Sequence, residues 1–199
     1  MNRYIHDLSH PDQEEINDDL KEYVSDQDLR DYFGDSFDRR ILKYSELSNY
    51  PTINDLLPKK KDFCIILVEN EPNSGHWVAL LKYEPNIIEF FNSYGDSPGS
   101  ELSFNSKSTN EELDQSRNII TDLLDKAMEK NTVIYNKKKF QKLENDINTC
   151  GKNCIFRCIC LKKYKLNLPK YINFVKDLKA HYKMSADELV SLLIPINED

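Results

Sequence analysis

The runs Phe63-Cys-Ile-Ile-Leu-Val68, His76-Trp-Val-Ala-Leu-Leu-Lys-Tyr83 and Ile87-Ile-Glu-Phe-Phe91 decide how this chain folds. Each is short, apolar and rich in β-branched or aromatic residues, which marks buried strands. Asn70 to Gly75, with Pro72 and Gly75, and then Pro85-Asn86 supply the turns between them. Three strands joined by such short turns predict an antiparallel meander. In a meander the start of one strand lies beside the end of the next, so His76 and Asn92 are predicted neighbours.

Outward from the meander the pattern turns helical. Asp12 to Val24 carries apolar residues at Ile16, Leu20 and Tyr23, a helical spacing with acids on the other face. Asp26 to Tyr32 continues as a short helix ending near Gly34, and Tyr44 to Leu57, broken by Pro51, holds two short turns. Ser93 to Thr109 reads as an exposed loop. Ser108-Thr-Asn-Glu111 offers a capping box for a helix running to about Lys130, with Leu113, Ile119, Ile120, Leu123 and Leu124 inward. Thr132 to Tyr135 reads as a fourth strand and Cys150 to Tyr164 as an apolar helix. Ser185-Ala-Asp-Glu188 caps a last helix through about Ile194. The expected class is α+β, with helices, an antiparallel sheet, then more helices. Residues 1–199 are read as one domain, with 1–24 as an N-terminal helical extension.

Composition narrows the function classes. Charged residues make up 31% and apolar residues 39% of the chain, with a mean hydropathy of −0.66, so a globular protein is expected. No stretch approaches the roughly 18 apolar residues of a membrane span, and Met1-Asn-Arg-Tyr-Ile lacks the order of a signal peptide. The expectation is a protein that is neither membrane-bound nor secreted. Five cysteines, four of them (Cys150, Cys154, Cys158 and Cys160) bunched within eleven residues, do not form a disulfide framework. Residues 126–183 hold 15 Lys and Arg against four acids, a local net of +11, so the rest carries −18 of the overall −7. Such a cluster suits nucleic acid or an acidic partner, or simply solvated helix faces.

One constellation carries chemistry. Thr149-Cys150-Gly151 follows a polar loop and begins an apolar helix, where unpaired N–H groups and the helix dipole lower a thiol's pKa. Gly151 is expected to give a tight turn and let substrate near the sulfur. Taken alone, Cys150 reads equally as a buried structural cysteine. His76, with Trp77 beside it as a shield, stands where a strand presents a side chain at a sheet edge. The Asn92 carbonyl can accept from one imidazole nitrogen, leaving the other for the sulfur, which is nucleophile–base–orienter logic. Glu89 is a rival orienter, but mid-strand it reads as an outward-facing charge. The four-residue spacing of Cys150, Cys154 and Cys158 lines one helix stripe. It differs from the paired spacing of structural zinc, so Cys154 and Cys158, like Cys64 and Cys160, are read as packed core. His6, His10 and His181 lie in polar segments and receive no role.

The order Gly75-His76-Trp77, Phe90-Phe91-Asn92-Ser93-Tyr94-Gly95, Asn136 through Phe140-Gln141, and Thr149-Cys150-Gly151 resembles the adenovirus maturation protease (adenain) family. It looks nearest to relatives in virophages, Polinton-type elements and large DNA viruses. The fold is shared with SUMO-specific proteases. The resemblance spans about residues 25–195 and implies a papain-like or adenain-like cysteine protease. Cys150 would be the nucleophile, His76 the base and Asn92 the orienter, where many relatives carry Asp or Glu. The family's oxyanion hole pairs the nucleophile's N–H with an upstream Gln. Here Gln141 is nine residues before Cys150, and Glu144 stands at the usual six. Gln141 is the expected donor, because Leu143 to Asn148 reads as a loop able to absorb extra residues and an ionised carboxylate cannot donate.

The resemblance also implies cleavage beside small, often Gly-containing residues in capsid or core precursors, in the virion or the virus factory of the host cytoplasm or nucleus. No cofactor is required. Nucleic acid, bound through 126–183, or a peptide would be an activator, and the protease is expected to act as a monomer. The alternatives are a deconjugating protease for a ubiquitin-like modifier and an inactive scaffold of the same fold.

Overall fold

The computed structural model describes residues 13–34, 40–84 and 86–196. The three apolar runs are β2 (Asp62–Glu71), β3 (Ser74–Glu84) and β4 (Ile87–Phe91), paired antiparallel as a meander. The first hairpin is tighter than the sequence suggests. Its strands run to Glu71 and from Ser74, and Asn73 takes a positive φ of 64° in the two-residue turn. Gly75 is required there, because a Cβ would overlap the Val68 carbonyl across the hairpin. The expected fourth strand is present as β5 (Thr132–Tyr135), parallel to β4. The pattern did not reveal a further strand, β1 (Ile41–Lys43), parallel to β2. Three residues are too short for a period to register. The sheet order is β1-β2-β3-β4-β5, an open five-stranded sheet flanked by helices.

Strand alternation divides the core into two layers. Trp77, Ala79 and Leu81 face α6 (Cys150–Lys162), α7 (Leu168–Tyr182) and α8 (Ala186–Leu193). Val78 and Leu80 face α3 (Ile53–Leu56), α5 (Ile119–Met128) and the 3₁₀ turn Tyr44–Asn49. Cys154, Cys158, Cys160 and Cys64 lie in these layers, fully buried. Helix α7, which the sequence pattern left unassigned, opens with Asn167 as its cap and Pro169 within its first turn.

Four expectations are corrected. The predicted helix over Asp12–Val24 stops at Asp19, giving α1 (Gln13–Asp19); Asp12, like His6 and His10, lies outside the described residues. Residues 20–24 form a strap, and carbonyls from Asp19 to Val24 serve other groups. Asn148 donates to Leu20 and Lys21, Lys152 Nζ to Asp19, and Trp77 Nε1 to Val24. A helix running to Val24 would have spent the Asp19 and Leu20 carbonyls on its own i→i−4 bonds, and Ile16 of α1 is buried. Second, the long helix from Ser108 is two helices, α4 (Lys107–Glu112), capped by Ser106, and α5. The break lies at Asp114, with φ 54°, and lets Gln115 turn in to hydrogen-bond both backbone groups of Glu69. Third, the loop after Asn92 is not wholly exposed, since the 3₁₀ turn Glu101–Phe104 buries Glu101 and Leu102.

Fourth, Glu89 is not an outward charge. It is fully buried facing α6, and Arg157 Nε and one terminal nitrogen donate to its two oxygens at 2.9 and 2.7 Å. The Arg157 guanidinium also lies over the Tyr171 ring, 4.9 Å from its centroid. This bidentate pair ties β4 to α6, and Glu89 is thereby committed to structure.

Candidate active site

Strand β3 lifts His76 to the end of the sheet, opposite in face to Trp77. The Asn92 position directly follows β4. His76 Nε2 lies 2.9 Å from Asn92 Oδ1, as the meander predicts. The Tyr94 amide also donates to that oxygen, at 3.0 Å, which makes it the acceptor. The facing His76 Nε2 must therefore be the donor, and Nδ1 keeps the lone pair that a general base needs. Asn136 holds Asn92 in turn, accepting from its amide at 2.9 Å and donating to its carbonyl at 2.6 Å. Asn92 Nδ2 has no hydrogen-bond partner.

Tyr94, not Trp77, covers the imidazole. The two rings stack at 4.6 Å and 16°, with Phe104 tilted at 6.2 Å. Neighbouring residues on a strand point to opposite faces, so Trp77 packs against the strap instead. Burial drives the His76 pKa down to about 4, opposed by the Asn92 hydrogen bond and by Asp96.

Cys150 is the first residue of α6 and 8% exposed. Burial raises its thiol's pKa, against the backbone amides of Trp77, Gly151 and Cys150 itself, which pull it down. The expected acidification by the helix terminus is thus present but outweighed in the free protein. Gly151 also differs from expectation. It is buried within α6, and a Cβ there would overlap Val24, so this glycine admits the strap rather than making a turn. Thr149 is held by its hydroxyl to Asp187 Oδ1 at 2.5 Å, and Asp187 Oδ2 accepts from the Lys142 amide at 3.1 Å. Asp187 thus fixes the residue before Cys150, although the sequence offered it only as part of a cap.

His76, Cys150, Gln141 and Tyr94 line one cavity of about 220 Å³. Gln141 is 3% exposed; Ser93 Oγ donates to its Oε1 at 2.7 Å, and its Nε2 donates to the Ile147 carbonyl at 2.9 Å. One amide hydrogen remains for the cavity. Glu144 is exposed, does not line the cavity and sits 4.0 Å from Lys142 Nζ. A larger groove of about 490 Å³ reaches Cys150 from the strap side, over Val24, Leu67 and Trp77.

Elsewhere, Lys152 and Arg157 of the basic 126–183 region are fully buried and engaged, which removes them from any charged face. Among the described residues no group of three or more His, Cys, Asp or Glu is placed to hold a metal, and no helix is long and apolar enough to cross a membrane.

No family model matches the chain. Uncharacterized protein V9 of Sputnik virophage is 39% identical to it over 153 residues, covering 77% of this chain and 84% of that protein.

Proposed function

The chain belongs to the family of that virophage protein, and on this footing we propose that it is a cysteine endopeptidase of a virus, with Cys150 as nucleophile and His76 as base. The observation that carries the reading is the His76–Asn92 contact, its polarity set by the Tyr94 amide, in a cavity shared with Cys150. The tautomer so fixed leaves Nδ1 with its lone pair in a histidine that lines the same cavity as the thiol.

Both reacting groups are held neutral by burial in the free protein. His76 Nδ1 takes the thiol proton as the sulfur attacks the peptide carbonyl, and the Asn92 oxygen steadies the imidazolium that forms. General-base assistance of this kind is worth roughly 10²–10⁴ in rate. The Cys150 amide and the free hydrogen of Gln141 receive the oxyanion. His76 then returns the proton to the leaving amine as the C–N bond breaks, giving a thioester. Water attacks that thioester, its proton passing to His76, and the thiol is released. The similarity of motifs to adenain supports the adenain-like fold within this α+β frame. It likewise supports cleavage at small residues of capsid or core precursors during virion maturation.

The test uses the purified protein and its Cys150→Ala and His76→Ala variants. A thiol-reactive probe should label Cys150 selectively and lose that selectivity in His76→Ala. Candidate capsid precursors should be cut only by the intact protein. Equal labelling of all five cysteines, or cutting that survives Cys150→Ala, sinks the proposal.

A further inference from the structure

Among the described residues four large hydrophobic side chains remain well exposed, and three of them, Tyr23, Phe104 and Leu143, line the Cys150–His76 cavity. Phe104 and Leu143 continue, with Tyr94 and Gln141, into an adjoining groove of about 330 Å³. Lys139, Lys142 and Lys179 stand around that groove. Lys139 and Lys179 make no salt bridge among the described residues, and Lys142 lies 4.0 Å from the exposed Glu144 and also acts on Asp187. The acids in the groove offset its charge only in part. Asp96 and the buried Asp187, whose oxygens are taken by Thr149 and the Lys142 amide, are the two acids of its lining, against three lysines. The groove on the strap side is different: Asp26 pairs with Arg30 and Lys43 with Glu69, over an apolar floor.

The direction of a bound peptide follows from the proton. His76 must hand it to the leaving amine, so the leaving segment passes over the His76–Tyr94 side, into the lysine-bordered groove. We propose, resting on the protease reading, that the substrate segment on the amine side of the cut bond is acidic and carries an apolar residue. That residue would lie against Phe104 and Leu143, with carboxylates on Lys139, Lys142 and Lys179.

Binding is read on the Cys150→Ala protein by fluorescence anisotropy, with labelled Ala-Phe-Asp-Asp-Glu and Ala-Phe-Lys-Lys-Arg as probes. The acidic peptide should bind about tenfold tighter near 0.05 M salt, and the gap should narrow near 0.5 M. Lys139→Glu with Lys179→Glu should reverse the preference, and the milder Lys139→Gln with Lys179→Gln should abolish it. Equal binding of the two peptides, or a preference untouched by both variants, overturns the inference. So does tighter binding of an oligothymidylate of equal charge, which would assign the lysines to nucleic acid. Cleavage by the intact protein separates the two claims. Cutting indifferent to the charge of the leaving segment defeats this inference alone. Acidic-peptide binding with no Cys150-dependent cutting of any substrate defeats the protease reading and reduces this inference to a site for acidic peptides.

Discussion

Val24 fills the space that a side chain on Gly151 would need, so the strap before α2 (Asp26–Phe33) seals the first turn of the helix that carries Cys150. The Trp77 indole fastens the same residue through the Val24 carbonyl at 2.8 Å. Strap, β3 and α6 thus meet at one point beside the thiol.

Gly151→Ala should lift this strap. A methyl forced into a packed site typically costs about 1–3 kcal/mol, so a lower melting temperature is expected. Residues 20–24 should also become a site of limited proteolysis. A variant that melts like the parent and resists cleavage there would show that Val24 yields freely.

Asn92→Asp should raise the pKa of His76. The substitution keeps the acceptor and replaces only an Nδ2 that has no partner. It adds a charge that favours imidazolium, so the His76 pKa should rise from about 4. The acid limb of Cys150 alkylation against pH should shift upward by one unit or more (roughly 1.4 kcal/mol per unit). An unmoved limb would mean that His76 does not control the thiol.

Gln141→Glu should separate binding of the thiol probe from turnover. The change removes the amide hydrogen that the proposed mechanism uses for the oxyanion, and loss of one such donor lowers kcat by about 10²–10³. Cys150 alkylation, which forms no oxyanion, should change little. A fall of the same size in Glu144→Gln and none in Gln141→Glu would reverse the assignment of the two residues.

Stability should depend on His76 between about pH 6.5 and 4. Its pKa is 6.5 when unfolded and about 4 in the fold, so below 6.5 the unfolded chain takes up the proton first. The contribution is full above 6.5 and declines as pH falls toward 4. Urea midpoints of the parent should therefore fall more steeply across this window than those of His76→Gln. Parallel curves would show that the imidazole protonates without strain.

Arg157→Met should be among the most destabilising single changes, by about 3–5 kcal/mol, because it strands the buried Glu89 carboxylate. Adding Glu89→Leu should restore much of the loss. A urea series on the single and double variants measures both, and no recovery in the double would point to packing rather than charge.

How much of this was legible in the sequence differs by element. The β2–β4 meander was readable because apolar runs between Pro- and Gly-bearing turns have few alternatives, and its spacing alone set His76 beside Asn92. Helix α6 and the cap of α8 were readable from local periodicity and a capping box. Strand β1 was not, being three residues long, and Glu89 was misread because a charge in mid-strand looks like a solvent-facing one until its partner is known. The break at Asp114 was hidden because the helical period on either side continues through it.

What the sequence by itself determined was local: the meander, the helix that begins at Cys150, and the register that brings imidazole and amide together. The tertiary structure decided what lies at long separation. The Tyr94 amide sets the tautomer, Val24 claims the space at Gly151, Ser93 orients Gln141, and burial holds thiol and imidazole neutral. The physical reason is that hydrogen-bond polarity and desolvation depend on which groups surround a side chain, and those neighbours exist only once the strap, sheet and helices have packed.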